Sequence, residues 1–303
     1  VILTSVGEML GLKGMLVDFV LRKVKKMIPP YQLANTIRFK QALRTGRGFT
    51  VKPTGGQAED TIILQYTGGT TGVAKGAMLT NRNLVANMQQ LRAVLQPLID
   101  DNKQETAFCP LPLYHIFAFT VNCLAIMNGG GHSILIPNPR DIAGLIKEWN
   151  IHRPTITTGL NTLFNGILNH PDFPKMDCSR LKITSAGGMA MQKAVAERWQ
   201  KETGCQVTEG YGMTEASPVI TCNPVTSGMR IGTIGMPVPS TDVRIVDDAG
   251  NVLGGGPENV GEIQAKGPQV MKGYWQRPDA TAEVIKDGWL ATGDMGFMHP
   301  DGF

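Results

Sequence analysis

Between Thr61 and about Tyr211, short apolar runs alternate with longer stretches of helical spacing. TIILQY leads toward a helix with Thr80 as its N-cap, TAFCPLP precedes HIFAFTVNCLAIMNG, and HSILIPN precedes DIAGLIKEWNI. TITTGLN then precedes LFNGILN, LKITSAGG precedes MQKAVAERWQKETG, and CQVTEGYG closes the series. This alternation predicts βαβ units, hence a parallel or mixed sheet with helices on both faces. In such sheets ligands bind beyond the carboxyl ends of the strands. The loops 66–76, 185–189 and 209–215 each follow a predicted strand, so one shared site is expected.

After about Gly235 the pattern changes. VRIVDDAGNVL reads as a hairpin turning near DDAGN, and GEIQAKG, MKGYW and GWLATGD are short pieces punctuated by glycine. The expected fold class is therefore α/β, followed by a smaller β-rich, barrel-like subdomain. The expected divisions are 1–60, a basic amphipathic helix and connecting segment of the large domain; 61–234, the α/β part holding the site; and 235–303, the β-rich part.

A chain of 303 residues can bury a large core. No apolar run reaches the length of a membrane span, and the first residues do not resemble a signal peptide. Five scattered cysteines, odd in number and without metal-ligand spacing, fit free thiols in a reducing cytoplasm. The net charge of +4 is uneven, since residues 1–60 carry ten Lys/Arg against four Asp/Glu. Much of that charge lies on GMLVDFVLRKVKKMIPP, where Leu16, Val20, Val24 and Met27 recur at helical spacing, opposite Arg22, Lys25 and Lys26. A surface helix packed on the core by that stripe is the favoured reading, with a peripheral contact to anionic lipid as the alternative. Trp275 and Trp289 are expected in the core.

The segment QYTGGTTGVAKGAMLT, residues 65–80, crowds hydroxyls and glycines ahead of one lysine. Glycine lets backbone approach a ligand closely, and N–H groups, threonine hydroxyls and a lysine all donate to phosphate oxygens. A following helix would add the positive end of its dipole. The segment is not a Walker loop, because Gly72 and Lys75 are separated by two residues and Gly76 stands where Ser or Thr would hold magnesium. A plain flexible loop explains the glycines but not the coincidence of Thr67, Thr70, Thr71 and Lys75. In TEGYGMTEA, residues 208–216, a tyrosine between glycines can stack on a base, Thr214 can reach a phosphate, and Glu215 offers a hard oxygen to magnesium.

Together these motifs resemble the AMP-forming adenylating superfamily, the acyl-CoA synthetases and their relatives. YTGGTTGVAKG is similar to its phosphate loop, EGYGMTE to its adenine and magnesium motif, and GWLATGD to its ribose motif. PLYHIFAFT, SAGGM and GEIQAKGPQVMKGYW fall in family order, so the resemblance spans nearly the whole chain. LPLYHIFAFTVNCL, NPRDI, GLNTLFN and DGWLATGDMGFMHPDGF look most like the bacterial long-chain fatty acid–CoA ligases.

The resemblance implies activation of a fatty acid by ATP through acyl-AMP, with release of pyrophosphate, and transfer to CoA with release of AMP. It implies that Thr67, Gly68, Gly69, Thr70, Thr71, Gly72 and Lys75 hold the β- and γ-phosphates. Thr214 would meet the α-phosphate and Glu215 the Mg2+, these two with Lys75 being the candidate catalytic residues. Gly187, Gly188 and the run Glu209, Gly210, Tyr211, Gly212, Met213 would enclose adenine, with Asp294 on the ribose. Asp294 could otherwise hold a turn. His115 would line the acyl carboxylate entrance, or simply start a helix. Asn161, Thr162 and Leu163 would lie along the acyl tunnel, or pack the core.

Family members continue into a hinge and a mobile C-terminal lid domain with a catalytic lysine. The sequence is expected to be a central piece of such a chain, lacking that domain and part of the N-terminus, and inactive alone. Its expected partners are fatty acid, ATP and CoA, with no nucleic acid; peripheral contact with the inner face of the membrane and a homodimer stay open. The rival readings are an adenylating enzyme for another carboxylate or for a carrier-protein acceptor, and a non-catalytic nucleotide-binding module.

Overall fold

The computed structural model describes residues 1–53, 55–67 and 74–303. The chain divides into two compact units, Val1–Gly56 and Gln57–Phe303.

In the first unit, β1 (Ile2–Leu3) pairs in parallel with β2 (Ile37–Arg38) beside α1 (Gly11–Phe19) and α2 (Phe39–Gly46). The expected packing of the stripe Leu16, Val20, Val24 and Met27 is corrected here: Leu16, Val24 and Met27 are 66%, 65% and 67% exposed. The face of α1 turned inward is another one. Backbone comes so close at Gly7 and Gly14 that a Cβ on Gly14 would lie 1.7 Å from the Gly7 carbonyl oxygen. Ser5 Oγ and the Gly7 N–H both donate to Asp18, which brings Gly14, Val17 and Asp18 inward. The helix then widens to a π-helical turn over Val20–Val24, with Lys25 N donating to Val20 O at 2.8 Å, so the 3.6-residue spacing read from sequence does not persist.

The second unit begins with an antiparallel hairpin of β3 (Thr61–Thr67) and β4 (Lys75–Thr80), in register Thr67↔Lys75 and Gln65↔Ala77. This corrects the expectation that TIILQY is a strand of the parallel sheet. In KGAMLT, Ala77 and Leu79 share one face of the strand and are fully buried. Its outer edge exchanges backbone bonds with 271–275, through Met78 N to Gly273 O at 2.9 Å and Trp275 N to Gly76 O at 2.8 Å. Only then does α3 (Asn81–Leu95) start, at the expected cap. Thr80 Oγ1 accepts from Asn83 N, and Asn83 Oδ1 accepts from Thr80 N, a reciprocal capping box.

Among the described residues the main sheet has seven strands, in the order β11-β10-β9-β8-β7-β5-β6. Those read as βαβ units are parallel: β5 (Thr106–Cys109), β6 (His132–Leu135), β7 (Ile156–Gly159), β8 (Ile183–Ala186) and β9 (Val207–Gly212). β10 (Val219–Cys222) and β11 (Met236–Pro237) extend it in antiparallel sense, which makes it mixed. Both faces are covered. Phe108 packs with Trp149 of α5 (Ile142–His152), Phe164 of α6 (Asn161–Leu168) and Trp199 of α7 (Lys193–Thr203). On the opposite face Ala107, Ile156 and Ile183 meet Leu95 of α3 and Ile126, where α4 (Ile126–Asn128) continues a π-helical segment, Ala118–Ala125. The chain order reverses around β5, between β6 and β7, so loops at their carboxyl ends open a crevice.

A second, antiparallel sheet holds β12 (Asp242–Val246), β13 (Gly261–Lys266), β15 (Trp289–Gly296) and β14 (Ile285–Lys286), in that order, with α8 (Pro278–Val284) beside it. The predicted turn near DDAGN is present, with Val246 bridging Val252. The tryptophans differ from expectation. Trp275 is 46% exposed, and Trp289 carries the Arg244 guanidinium 4.1 Å over its ring; Trp149 and Trp199 are the ones in the core. All five cysteines are free. No helix among the described residues is long and apolar enough to cross a membrane.

Candidate functional site

A cavity of about 290 Å³ lies at the carboxyl edge of the main sheet. Three stretches that follow or end parallel strands converge on it: His115 to Phe117 after β5, Ser185 to Gly188 at the end of β8, and Gly210 to Glu215 at the end of β9. Thr67, where β3 ends, joins them. Of the candidates read from sequence, Thr67, His115, Gly187, Gly188, Gly210, Tyr211, Gly212, Met213, Thr214 and Glu215 line this one space. Gly68, Gly69, Thr70, Thr71 and Gly72 lie outside the described residues.

The turn carrying Thr214 and Glu215 is held tightly against the start of β10. Met213 N donates to Pro218 O at 3.0 Å, and a Cβ on Gly212 would lie 2.0 Å from that same oxygen. Only glycine permits this approach, and it sets Glu215 at the cavity wall. Glu215 is buried, and its Oε1 accepts from the Tyr274 hydroxyl at 2.6 Å. No described residue is seen to donate to its Oε2. The Tyr274 phenol is held above its ordinary range, first by burial and then by this carboxylate. Lys75 does not line the cavity; its Nζ stands 5.1 Å over the Tyr274 ring, within cation–π reach.

Tyr211 lines the cavity and donates its hydroxyl to Asp294 Oδ2 at 2.6 Å, linking the main sheet to β15. Burial, and after it the Asp294 bond, raises this phenol too. Asp294 thus reaches the site through Tyr211 and remains exposed.

Four further expected site residues do not line this cavity. Glu209 does not offer its carboxylate to the cavity: Oε2 accepts from Met191 N at 3.2 Å and Oε1 from Gly232 N at 3.1 Å, so it fastens two loops. Asn161, the first residue of α6, accepts from Gln192 N at 3.0 Å, and Leu163 packs on the core. Neither these two nor Thr162 lines the cavity. By contrast HIFAFTVNCL does form its wall, through His115, Ile116, Phe117 and Val121.

Sequence reading missed Tyr274, and it missed a buried amide cluster behind the site. Asn87 exchanges bonds with both backbone groups of Val219, while Gln90 and Gln269 join Thr241. Such polar residues on a helix read as solvent-facing, and only their partners 132 to 179 residues away show otherwise. A second, smaller cavity of about 80 Å³ shares Leu91 and Val121 with the first as walls and is lined further by Met88, Leu95, Ile99 and Ile156 and by the charged Arg92, Asp100, Asp101, Lys103 and Glu105.

Comparison with known proteins agrees with this architecture. The chain is 52% identical to the long-chain-fatty-acid–CoA ligase of Salmonella typhimurium over all of its own length and 54% of the relative's. It is 39% identical to the Bacillus subtilis protein of the same name, over 80% of this chain and 43% of the relative. The chain therefore spans about half the length of the curated relatives it matches. Among solved structures, ATP-bound MatB from Rhodopseudomonas palustris superposes with a TM-score of 0.77 at 28% identity, covering 88% of this chain and 52% of that one. The anthranilate CoA ligase AuaEII, at 22% identity and a TM-score of 0.81 over 94% of this chain and 56% of that one, shares the fold. The model of the AMP-binding enzymes matches residues 20–275, and with that match and these relatives the chain belongs to the AMP-binding enzyme family.

Proposed function

We propose that this chain supplies the nucleotide and acyl centre of an enzyme that activates a long-chain fatty acid with ATP and transfers it to CoA. The observation that carries the reading is the cavity itself, where Tyr211, Thr214 and Glu215 line one space at the carboxyl edge of the sheet. Adenine would stack on Tyr211 between Gly187, Gly188 and the backbone of 210–213, with the ribose hydroxyls on Asp294. Thr67, Gly68 to Gly72 and Lys75 would hold the β- and γ-phosphates, and Thr214 the α-phosphate.

The donor set fits magnesium. Among the described residues there is no cluster of three His, Cys, Asp or Glu that could cage a metal. Magnesium does not need one, since it uses one or two carboxylates and completes its shell with water and phosphate oxygens. Glu215, which lines the cavity, supplies such a carboxylate. When bound, the ion supplies positive charge to the phosphate oxygens.

In the first step a fatty carboxylate oxygen bonds to the α-phosphorus as the bond to pyrophosphate breaks, giving acyl-AMP. The CoA sulfur then bonds to the acyl carbon, AMP leaves, and the thiol proton passes to solvent. Two anions meet in the first step, so donors fixed before the reaction do most for it. For the acyl tail we favour the second cavity, behind Leu91 and Val121, over a path along Asn161, Thr162 and Leu163; His115 stands at the mouth of the first. Each methylene buried contributes about 0.8 kcal/mol; at about 80 Å³ the second cavity takes only a short part of a tail as it stands.

The test uses the complete protein with ATP, magnesium and CoA, offered acetate, benzoate and palmitate in turn. Palmitoyl-CoA and AMP as the preferred products support the reading. Better use of acetate or benzoate overturns the long-chain assignment, and absence of pyrophosphate exchange with every acid favours a nucleotide-binding module. In the first unit, exposed Leu12, Met15 and Phe19 lie next to Arg22, Lys23, Lys25 and Lys26, which supports a peripheral contact with anionic lipid.

A further inference from the structure

Tyr274 lies outside every motif to which a role is assigned above, yet its one side chain meets two groups of the proposed phosphate site. Its hydroxyl donates to Glu215 Oε1 at 2.6 Å, and its ring face carries Lys75 Nζ at 5.1 Å. Both Tyr274 and Glu215 are only 6% exposed. The tyrosine is itself held firmly. Tyr274 N donates to Thr281 Oγ1 at 2.9 Å, Trp275 N donates to Gly76 O of β4, and Met271 N donates to Glu215 O at 2.7 Å. The segment 271–275 therefore fastens the turn bearing Glu215 and the strand bearing Lys75 to each other.

The chemistry of that arrangement is specific. The terminal torsion of a glutamate is broad, so an unattached carboxyl would lose freedom on meeting a cation. A phenol fixed on Oε1 removes that freedom beforehand and leaves Oε2 for another partner. Lysine beside a carboxylate ordinarily pairs with it, yet among the described residues Lys75 forms no such pair. The ring gives its ammonium a resting place that uses no hydrogen-bond donor. We propose that Tyr274 is a positioning residue that holds Glu215 and Lys75 apart and pre-aimed for a magnesium–triphosphate group. This rests on the nucleotide reading above.

The test is equilibrium binding to the full-length protein, by calorimetry, of a non-hydrolysable ATP analogue at a series of magnesium concentrations, and of AMP without magnesium. Tyr274→Phe keeps the ring under Lys75 and removes the hydroxyl. It should weaken analogue binding about tenfold or more and raise the magnesium needed for half-saturation, leaving AMP binding unchanged. Tyr274→Leu, which also removes the ring, should weaken the analogue further at unchanged AMP affinity. Analogue affinity and magnesium dependence unaltered in Tyr274→Phe would overturn the inference while the nucleotide reading stands. Equal loss for AMP and analogue would also overturn it, by making Tyr274 a general packing residue. A wild-type protein that binds neither nucleotide overturns the functional reading and the inference with it.

Discussion

Replacing Glu209 by alanine separates a fastening carboxylate from one that touches ligand. Glu209 is 9% exposed and accepts from two backbone N–H groups, Met191 at 3.2 Å and Gly232 at 3.1 Å. Without the carboxylate both donors lose their acceptor. An unsatisfied buried donor costs about 1–3 kcal/mol, and Gly232, on the less buried bond, can recruit water and falls at the low end. Removing the carboxylate also removes the cost of keeping a charge out of water, which offsets part of the loss. The net expectation is about 2–3 kcal/mol of destabilisation. For a unit the size of Gln57–Phe303 that is a fall in Tm of about 4–12 °C. Glu209→Gln keeps one acceptor oxygen and should lose about half as much. The assay is thermal and denaturant unfolding of each variant, beside calorimetric binding of AMP. Weaker binding should accompany lower stability, because the Met191 loop continues from Gly187 and Gly188 at the cavity. An unchanged Tm with selective loss of AMP binding would refute the reasoning and return Glu209 to the adenine pocket.

Gly212→Ala would put a methyl 2.0 Å from the Pro218 carbonyl oxygen, so the turn must shift; AMP affinity in calorimetry should fall, and an unaltered affinity would contradict the proposed geometry. Glu215→Gln retains the Tyr274 bond but loses the charge, and should raise the magnesium required for pyrophosphate exchange by on the order of tenfold, or ~1.4 kcal/mol, in a magnesium titration. Burial pushes Cys109 up to about 11, and Cys178 and Cys222 to about 12, above the ordinary thiol value of 9.0. The folded chain thus keeps protons that the unfolded chain releases: this stability is fully present below pH 9 and is lost as pH rises toward 11–12, by up to about 1 kcal/mol per pH unit and thiol. The denaturation midpoint should fall between pH 9 and 10.5, and a flat midpoint would show these thiols to be more hydrated than the structure has them.

The sequence by itself determined the parallel strands β5 to β9, the helices between them, the cap at Thr80 and the convergence of the loops near 187 and 211. Each follows from local periodicity and turn chemistry, and the placing of loops at strand ends follows from the rule that parallel strands need crossovers. Local patterns could not decide what a strand pairs with. KGAMLT reads the same whether it ends a loop or forms a hairpin, and its partners at 61–67 and 271–275 lie on both sides of it in sequence. The stripe at Leu16, Val20, Val24 and Met27 failed for a related reason, since a Gly7–Gly14 backbone contact and a π turn reset which face is inward. Glu209, Asn87 and Tyr274 mark the same limit at the site. A carboxylate, an amide and a phenol are defined chemically by the sequence, but whether each meets ligand, backbone or another side chain depends on groups far away in the chain. Hydrogen bonds act over about 3 Å of space, and only the tertiary structure sets that distance.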